Sequence, residues 1–187
     1  MKALITLFMV VALMAGTSSC GKDDNPPTET NDSSYEFKFL SGPLEGREYK
    51  ASGLSREQIT SLFTEQPSES LKGILTQITN GNMSIISTIG LTANNQVQPF
   101  TDDDNATIGT KMFLTFTDNG TNYAYGAQSG TPTIKNLKIA TVGSSGGGAL
   151  GLTTYELAFD NATFYDEIAA GNGQNVVVRV SGKIIIK

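Results

Sequence analysis

Lys111-Met-Phe-Leu-Thr-Phe-Thr-Asp118 and Thr121-Asn-Tyr-Ala-Tyr-Gly-Ala-Gln128 stand on either side of Asn119-Gly120. Asn-Gly between two alternating runs is the strongest short-range sign of a two-residue hairpin, because a type I′ turn needs positive φ at both central residues. Such a turn fixes the register: Asp118 faces Thr121, Phe116 faces Tyr123 and Leu114 faces Tyr125. The last four of these residues then share one face, which reads as core stabilised by cross-strand aromatic pairs. A competing reading is functional, since two Tyr spaced by two on a strand also make a stacking platform for a sugar. The other face carries Phe113, Thr115 and Thr117 against Gly126, Ala124 and Asn122, and only Phe113 there is a candidate for exposure or inter-sheet packing.

Strand patterns continue in both directions. Leu71 to Thr79 and Met83 to Ile89 flank the turn sequence Asn80-Gly81-Asn82, and Tyr35 to Leu40 alternates aromatic and polar residues opposite Arg47 to Ala51. Downstream come Ile134 to Val142 and Leu152 to Phe159. The apolar parity then changes, with Ala162 and Phe164 carrying the next positions, which predicts a bulge or turn at Asp160-Asn161. Val176, Val178, Val180, Gly182, Ile184 and Ile186 form one last strand with a Gly kink. One helix signal interrupts the series: Ser55 and Gln58 match a capping box, Ile59, Leu62 and Phe63 fall on one helical face, and Pro67 would stop it. The pattern therefore predicts a mainly β chain, a single antiparallel β-sandwich or else a partly open β-barrel, with one short α-helix near 56–65. Residues 35–187 read as a single domain with its own core.

The inventory removes much chemistry. Of 187 residues none is His or Trp and one is Cys. That rules out Ser-His-Asp and Cys-His nucleophile systems, His-liganded zinc, an internal disulfide and any multi-thiolate metal site. The net charge of −5 argues against nucleic acid as a partner. An enzyme is not expected.

The N-terminus is an address. Lys2 precedes the apolar run Ala3 to Gly16, broken only by Thr6, and the small residues Thr17-Ser18-Ser19 lead to Cys20. The run is too short to span a bilayer as a helix, which takes about 20 residues, and residues 1–19 read as a signal peptide. The alternative is a generic signal peptide cut between Ala15 and Ser19, leaving Cys20 as a lone thiol, a liability in an oxidising compartment. From Gly21 to Ser34 no large apolar residue occurs, so residues 20–34 read as a lipidated Cys and a disordered tether.

Ser18-Ser19-Cys20-Gly21-Lys22-Asp23-Asp24-Asn25 resembles the start of a Bacteroidota-type lipoprotein. The resemblance implies acylation of Cys20 on its thiol and amine, and an export signal in Lys22, Asp23 and Asp24 that carries the protein to the outer face of the outer membrane. A periplasm-facing domain is the alternative. The chain departs from the usual lipobox at Thr17, where Leu is the norm, and the resemblance says nothing of the folded domain.

Several motifs lack their context. Gly143-Ser144-Ser145-Gly146-Gly147 matches the G-x-S-x-G elbow, but no His exists to activate Ser145, and Gly146 to Gly151 matches G-x-G-x-x-G with strand pattern where a helix should follow. Residues 142–152 read instead as a surface loop. Asn105-Ala-Thr107, Asn119-Gly-Thr121 and Asn161-Ala-Thr163 match glycosylation triplets but read as Asn/Thr-rich turns. Asp102, Asp103 and Asp104 could hold Ca²⁺ in an oxygen-rich loop but lack EF-hand spacing, so a solvated hairpin tip is the plainer reading. Glu156, Asp160, Asp166 and Glu167 could supply an acid and a base for glycoside cleavage, or could simply keep the surface soluble. The functional expectation is a lipid-anchored, non-enzymatic envelope protein that binds a glycan or a protein of the envelope. A carboxylate-based glycan hydrolase and a structural surface subunit are the alternatives.

Overall fold

Asn119 and Gly120 take positive φ, 49° and 79°, and the hairpin has the expected register, Phe116 opposite Tyr123 and Leu114 opposite Tyr125. The computed structural model describes residues 32–66, 71–103, 109–145 and 148–187. Ten strands run through them: β1 (Ser34–Phe39), β2 (Glu48–Ser52), β3 (Ile59–Gln66), β4 (Leu71–Asn80), β5 (Met83–Gly90), β6 (Lys111–Asp118), β7 (Thr121–Ser129), β8 (Thr133–Ser145), β9 (Gly148–Asp166) and β10 (Val177–Ile186). They form one antiparallel sheet in the order β2-β1-β10-β9-β3-β4-β5-β6-β7, with β8 beside β9. Because β9 also pairs with β7, the strands β9-β3-β4-β5-β6-β7 close a ring of hydrogen-bonded pairs. β9 can close it because it is 19 residues long, reaching β3 through Ala149–Leu152 and β7 through Thr163–Asp166.

The predicted bulge is present. Asp160 and Asn161 of β9 lie between the pairs Val180–Ala162 and Gly182–Phe159, and Asn161 has φ 49°. The Gly kink has a steric cause: a Cβ on Gly182 would lie 2.6 Å from both Phe159 Cζ and Phe37 Cδ1, so only hydrogen fits where β10 crosses these rings.

Three expectations need correction. Residues near 56–65 form no α-helix. Ser55 N does donate to Gln58 Oε1 at 2.9 Å as in a capping box, but only a 3-10 turn, Arg56–Gln58, follows before β3. Ser61 and Phe63 are the buried positions, a period of two that a polar residue on the inward face disguises. Among the described residues the one α-helix, α1, is Glu167–Gly171, capped by Asp166 Oδ1, which accepts from Ile168 N at 3.0 Å and Ala169 N at 2.9 Å. Residues 142–152 are mostly strand and not loop, since Gly143 pairs with Leu150 and Ser144 with Ala149 across the β8–β9 hairpin; Gly146 and Gly147 lie outside the described residues. The domain also begins before Tyr35: Ser33 is fully buried, accepting from Lys187 N at 2.9 Å and from Leu54 N at 3.1 Å, and Ser34 opens β1.

The inner face is built in cross-strand rows. Phe63, Ile74 and Ile89 make one; Ser61, Thr76, Ser87 and Met112 the next; then Ile59, Ile78, Ile85, Leu114 and Tyr125; then Asn80, Met83, Phe116 and Tyr123. The second row is a belt of buried hydroxyls between apolar layers. Ser61 Oγ lies 3.1 Å from Thr76 Oγ1 and 2.6 Å from Thr153 Oγ1, and Thr76 Oγ1 lies 2.5 Å from the Tyr155 hydroxyl. These bonds offset the desolvation that burying hydroxyls among Ile and Phe would otherwise cost.

Burial pushes the Tyr155 phenol up to about 12, its hydrogen bond to Thr76 pulling the other way. The folded chain thus holds this proton to higher pH than the unfolded chain, where a phenol titrates near about 10. The stability linked to it is complete below about pH 10 and is lost as pH rises through about 12. Calorimetric melting temperatures should fall over that window in the wild type, and Tyr155→Phe should flatten the fall; identical alkaline limbs in the two proteins would refute the assignment.

Candidate functional site

The two hairpin Tyr part company along the sheet. Tyr125 is fully buried, whereas Tyr123, one row nearer the turns, is half-buried. Tyr123 stacks on Phe116 at 5.3 Å with 25° between planes and lies almost parallel to Tyr125, at 6.2 Å and 11°. Phe116 also meets Tyr49 at 4.5 Å, and the buried Phe39 touches Tyr49, Phe116 and Tyr125 at 5.8, 6.0 and 5.1 Å. The rings therefore hold one another in place. Tyr49 OH donates to Asp118 Oδ2 at 2.9 Å, and Arg47 Nη1 reaches the same oxygen at 3.5 Å. Burial, reinforced by Asp118, pushes the Tyr49 phenol up to about 12.

A hollow of about 230 Å³ opens by the β4–β5 turn and the ends of β6 and β7; of the residues that line it, Thr79, Ser84, Thr115, Thr117 and Asn122 belong to the face of the sheet opposite the Phe116 and Tyr123 rings. None of the described residues that line it carries a charge. Thr117 Oγ1 donates to Asn122 Oδ1 at 2.7 Å, leaving the Asn122 amide nitrogen to donate elsewhere. Asn82 comes from the β4–β5 turn, whose first residue is anchored from below: Gln58 Nε2 donates to Asn80 Oδ1 at 3.0 Å, and Asn80 Nδ2 to Tyr35 OH at 3.4 Å. The capping-box Gln58 thus serves to fix a turn at the mouth of the hollow. Tyr123 was visible in the sequence as a stacking candidate; Asn82, Thr117 and Asn122 were legible only as turn and strand polarity.

Of the acidic candidates, Glu156 and Asp160 have partners of their own, while Glu167 lies close enough to Asp166 and Asp102 to feel their charge. Glu156 sits between Asn136 Nδ2 at 2.9 Å and Lys183 Nζ at 3.4 Å, and the hydrogen bond from Asn136, aided by Lys183, holds its carboxyl below the usual range. Asp160 Oδ1 accepts from Ser181 Oγ at 2.5 Å, and Asp166 is spent on capping α1. Glu167 alone is pushed upward, by burial first and then by Asp166 and Asp102. Its carboxylate lies over Gly126, where a Cβ would come within 2.3 Å of Oε1 and 3.1 Å of the Phe113 ring. Phe113, the outward residue of the hairpin, is 41 % exposed.

Asp102 accepts from Gln128 Nε2 at 3.2 Å, and Asp103 N donates to Thr101 Oγ1 at 3.1 Å. Asp104 lies outside the described residues, as do residues 1–19, Cys20, Lys22, Asp23 and Asp24. Among the described residues no group of three or more His, Cys, Asp or Glu is placed to hold a metal ion, and no helix is long and apolar enough to cross a membrane.

No protein-family model, no curated protein and no solved structure matches the chain. Sequence, fold and the hollow by the β4–β5 turn are the grounds for assigning a function.

Proposed function

We propose that this is a lipid-anchored protein of the bacterial envelope, held at the outer membrane through Cys20 and exported to the cell surface by Lys22, Asp23 and Asp24, which binds a ligand without transforming it. The observation that carries the binding reading is the hollow by the β4–β5 turn, lined by neutral hydroxyl and amide residues, Thr79, Ser84, Thr115, Thr117 and Asn122 among them. Concavities with a few placed polar groups are where ligands bind. The anchor supports the same reading, since a tethered domain with a solvent-facing hollow meets its ligand at the membrane surface.

Envelope glycans and envelope proteins added to the full chain are expected to raise its melting temperature in proportion to concentration, as any ligand selective for the folded state must, with no product released. Turnover without stabilisation would contradict the proposal. One observation favours the hydrolase alternative: the raised pKa of Glu167 suits a general acid. Glu167→Gln separates the two, because only an enzyme that uses this carboxyl would lose product formation.

A further inference from the structure

We infer that the outer face of β2, β1, β10, β9 and β8 is a membrane-docking surface: with the chain tethered through Cys20, this face settles on anionic headgroups of the bilayer, the β8–β9 hairpin foremost. This rests on the anchored reading above and adds to it the orientation of the domain.

The tether enters the domain beside this face. Ser33 is fully buried next to Lys187, whose backbone N donates to Ser33 Oγ at 2.9 Å. β1 and β9 are both antiparallel to β10 and so run the same way, with Ser34, Ile185 and Glu156 in one row. The chain before Ser33 therefore leaves the sheet at the end where the β8–β9 hairpin projects. From Cys20 to Ser33 the sequence advances 13 residues, a reach of about 45 Å at full extension. A domain held so close meets the bilayer at high effective concentration, and a modest attraction is enough to orient it.

Charge identifies the occupant. The chain as a whole carries −5, yet the outward rows of these strands present four exposed lysines, Lys50 on β2, Lys183 on β10 and Lys135 and Lys138 on β8. The acidic side chains in the same rows are Glu36 and Glu156, and Glu156 is paired with Lys183 at 3.4 Å. Acids gather instead along β7: Asp118 faces Thr121, Asp166 faces Tyr125, Glu167 covers Gly126 and Asp102 accepts from Gln128. An anionic surface thus attracts one part of the sheet and repels the other.

The hairpin adds apolar contact. Leu152 is 55 % exposed and Val142 62 % exposed, and Ala140 faces Leu152 across the pair. Aliphatic side chains set beyond a band of lysines suit a bilayer surface, since the aliphatic groups enter the headgroup layer while the ammonium groups meet phosphate. A soluble anionic partner would satisfy the lysines without gaining from the tether beside them. The lysine surplus is too small to anchor the chain by itself, so the face acts only on a domain that the acyl chains already retain.

Docking in this way also presents the hollow. Glu65 of β3 faces Ala149 at the hairpin, whereas Ile59, at the other end of β3, faces Ile78 close to the β4–β5 turn. The hollow by that turn is therefore directed away from the bilayer, toward arriving ligand.

The test is NMR on the isotopically labelled full chain attached to nanodiscs. One set is phosphatidylcholine, the other contains about a quarter phosphatidylglycerol, and both carry a lipid with a spin-labelled headgroup. Backbone amides of Lys138, Ala140 and Leu152 should broaden strongly in the anionic discs and much less in the neutral ones, while those of Ser84 and Thr117 stay sharp in both. Salt at about 1 M, which screens charges beyond roughly 3 Å, should remove the difference. Lys135→Gln combined with Lys138→Gln should lower the ratio of docked to undocked domain at least about tenfold. Leu152→Ser should lower it several-fold with every charge in place, so a folding defect in one variant leaves the other to decide. Equal broadening in neutral and anionic discs, or broadening untouched by the lysine substitutions, overturns docking while the anchor stands. A chain that neutral discs fail to retain overturns the anchor; lysine-dependent attachment to anionic discs alone then upholds the face, and attachment to neither overturns it.

Discussion

Phe39→Ala is expected to cost the domain about 3–5 kcal/mol, the range for deleting a buried phenyl side chain. The upper half of that range applies because Phe39 is 1 % exposed and is the ring on which three others rest, Tyr49, Phe116 and Tyr125. Aromatic pairs add about 0.5–1.5 kcal/mol each beyond the area they bury. Little can collapse into the space, since the neighbouring rings are tied to one another and Tyr49 is held by Asp118. Urea unfolding should show the midpoint falling with an unchanged slope, the signature of lost stability in a two-state domain. A loss below about 1 kcal/mol, the size of an ordinary surface substitution, would mean that the aromatic cluster is not packed as the ring distances indicate.

Cys20→Ala is expected to move the protein from the membrane fraction to the soluble one. Each buried CH₂ of an acyl chain contributes about 0.8 kcal/mol, so several chains on Cys20, as proposed, would hold the protein stably at a bilayer where a single chain would be marginal. The substitution removes the thiol on which that chemistry depends. Fractionation of cells expressing each form is sufficient, and a protein still bound to membrane after Cys20→Ala would refute lipid anchoring at this residue. Protease added to intact cells probes the export signal in the same strains: cleavage before the β domain is expected if Lys22, Asp23 and Asp24 direct surface display, whereas full protection would place the domain toward the periplasm.

How far the fold was legible depends on whether the information was local. Asn119-Gly120 determined its own turn and with it the partner of every residue from Asp118 back to Leu114. The bulge at Asp160-Asn161 was legible because a change of apolar parity inside a continuous β pattern leaves the chain no other way to keep Phe159 and Phe164 on the same face. The segment after Ser55 was misread because Ile59, Leu62 and Phe63 satisfy a helical spacing, while the fact that settles it is remote. Ser61 can be buried because its hydroxyl shares hydrogen bonds with those of Thr76 and Thr153, 15 and 92 residues away along the chain. The glycine run after Val142 misled in the opposite direction: composition suggested a loop, yet backbone pairing with Ala149 and Leu150 carries the strands well into it.

The site shows the same division. Tyr123 and Tyr125 are indistinguishable by period, sharing one face of one strand. What separates them is the row each occupies, Tyr125 facing Leu114 within the closed core and Tyr123 facing Phe116 at its open end. Tyr49 and Phe39 complete the cluster from strands more than 60 residues earlier in the sequence, a distance that no local pattern spans. The carboxylates were equally plausible on paper, and their partners disperse them: Lys183 and Asn136 for Glu156, Ser181 for Asp160, the helix end for Asp166.

The most direct measurement of the central claim uses the amides that line the hollow as reporters. In the isotopically labelled full chain, an envelope component that raises the melting temperature should shift the side-chain amide signals of Asn82 and Asn122 and the backbone amides of Ser84, Thr115 and Thr117, without being converted to product. Stabilisation that leaves all of these signals in place would contradict it.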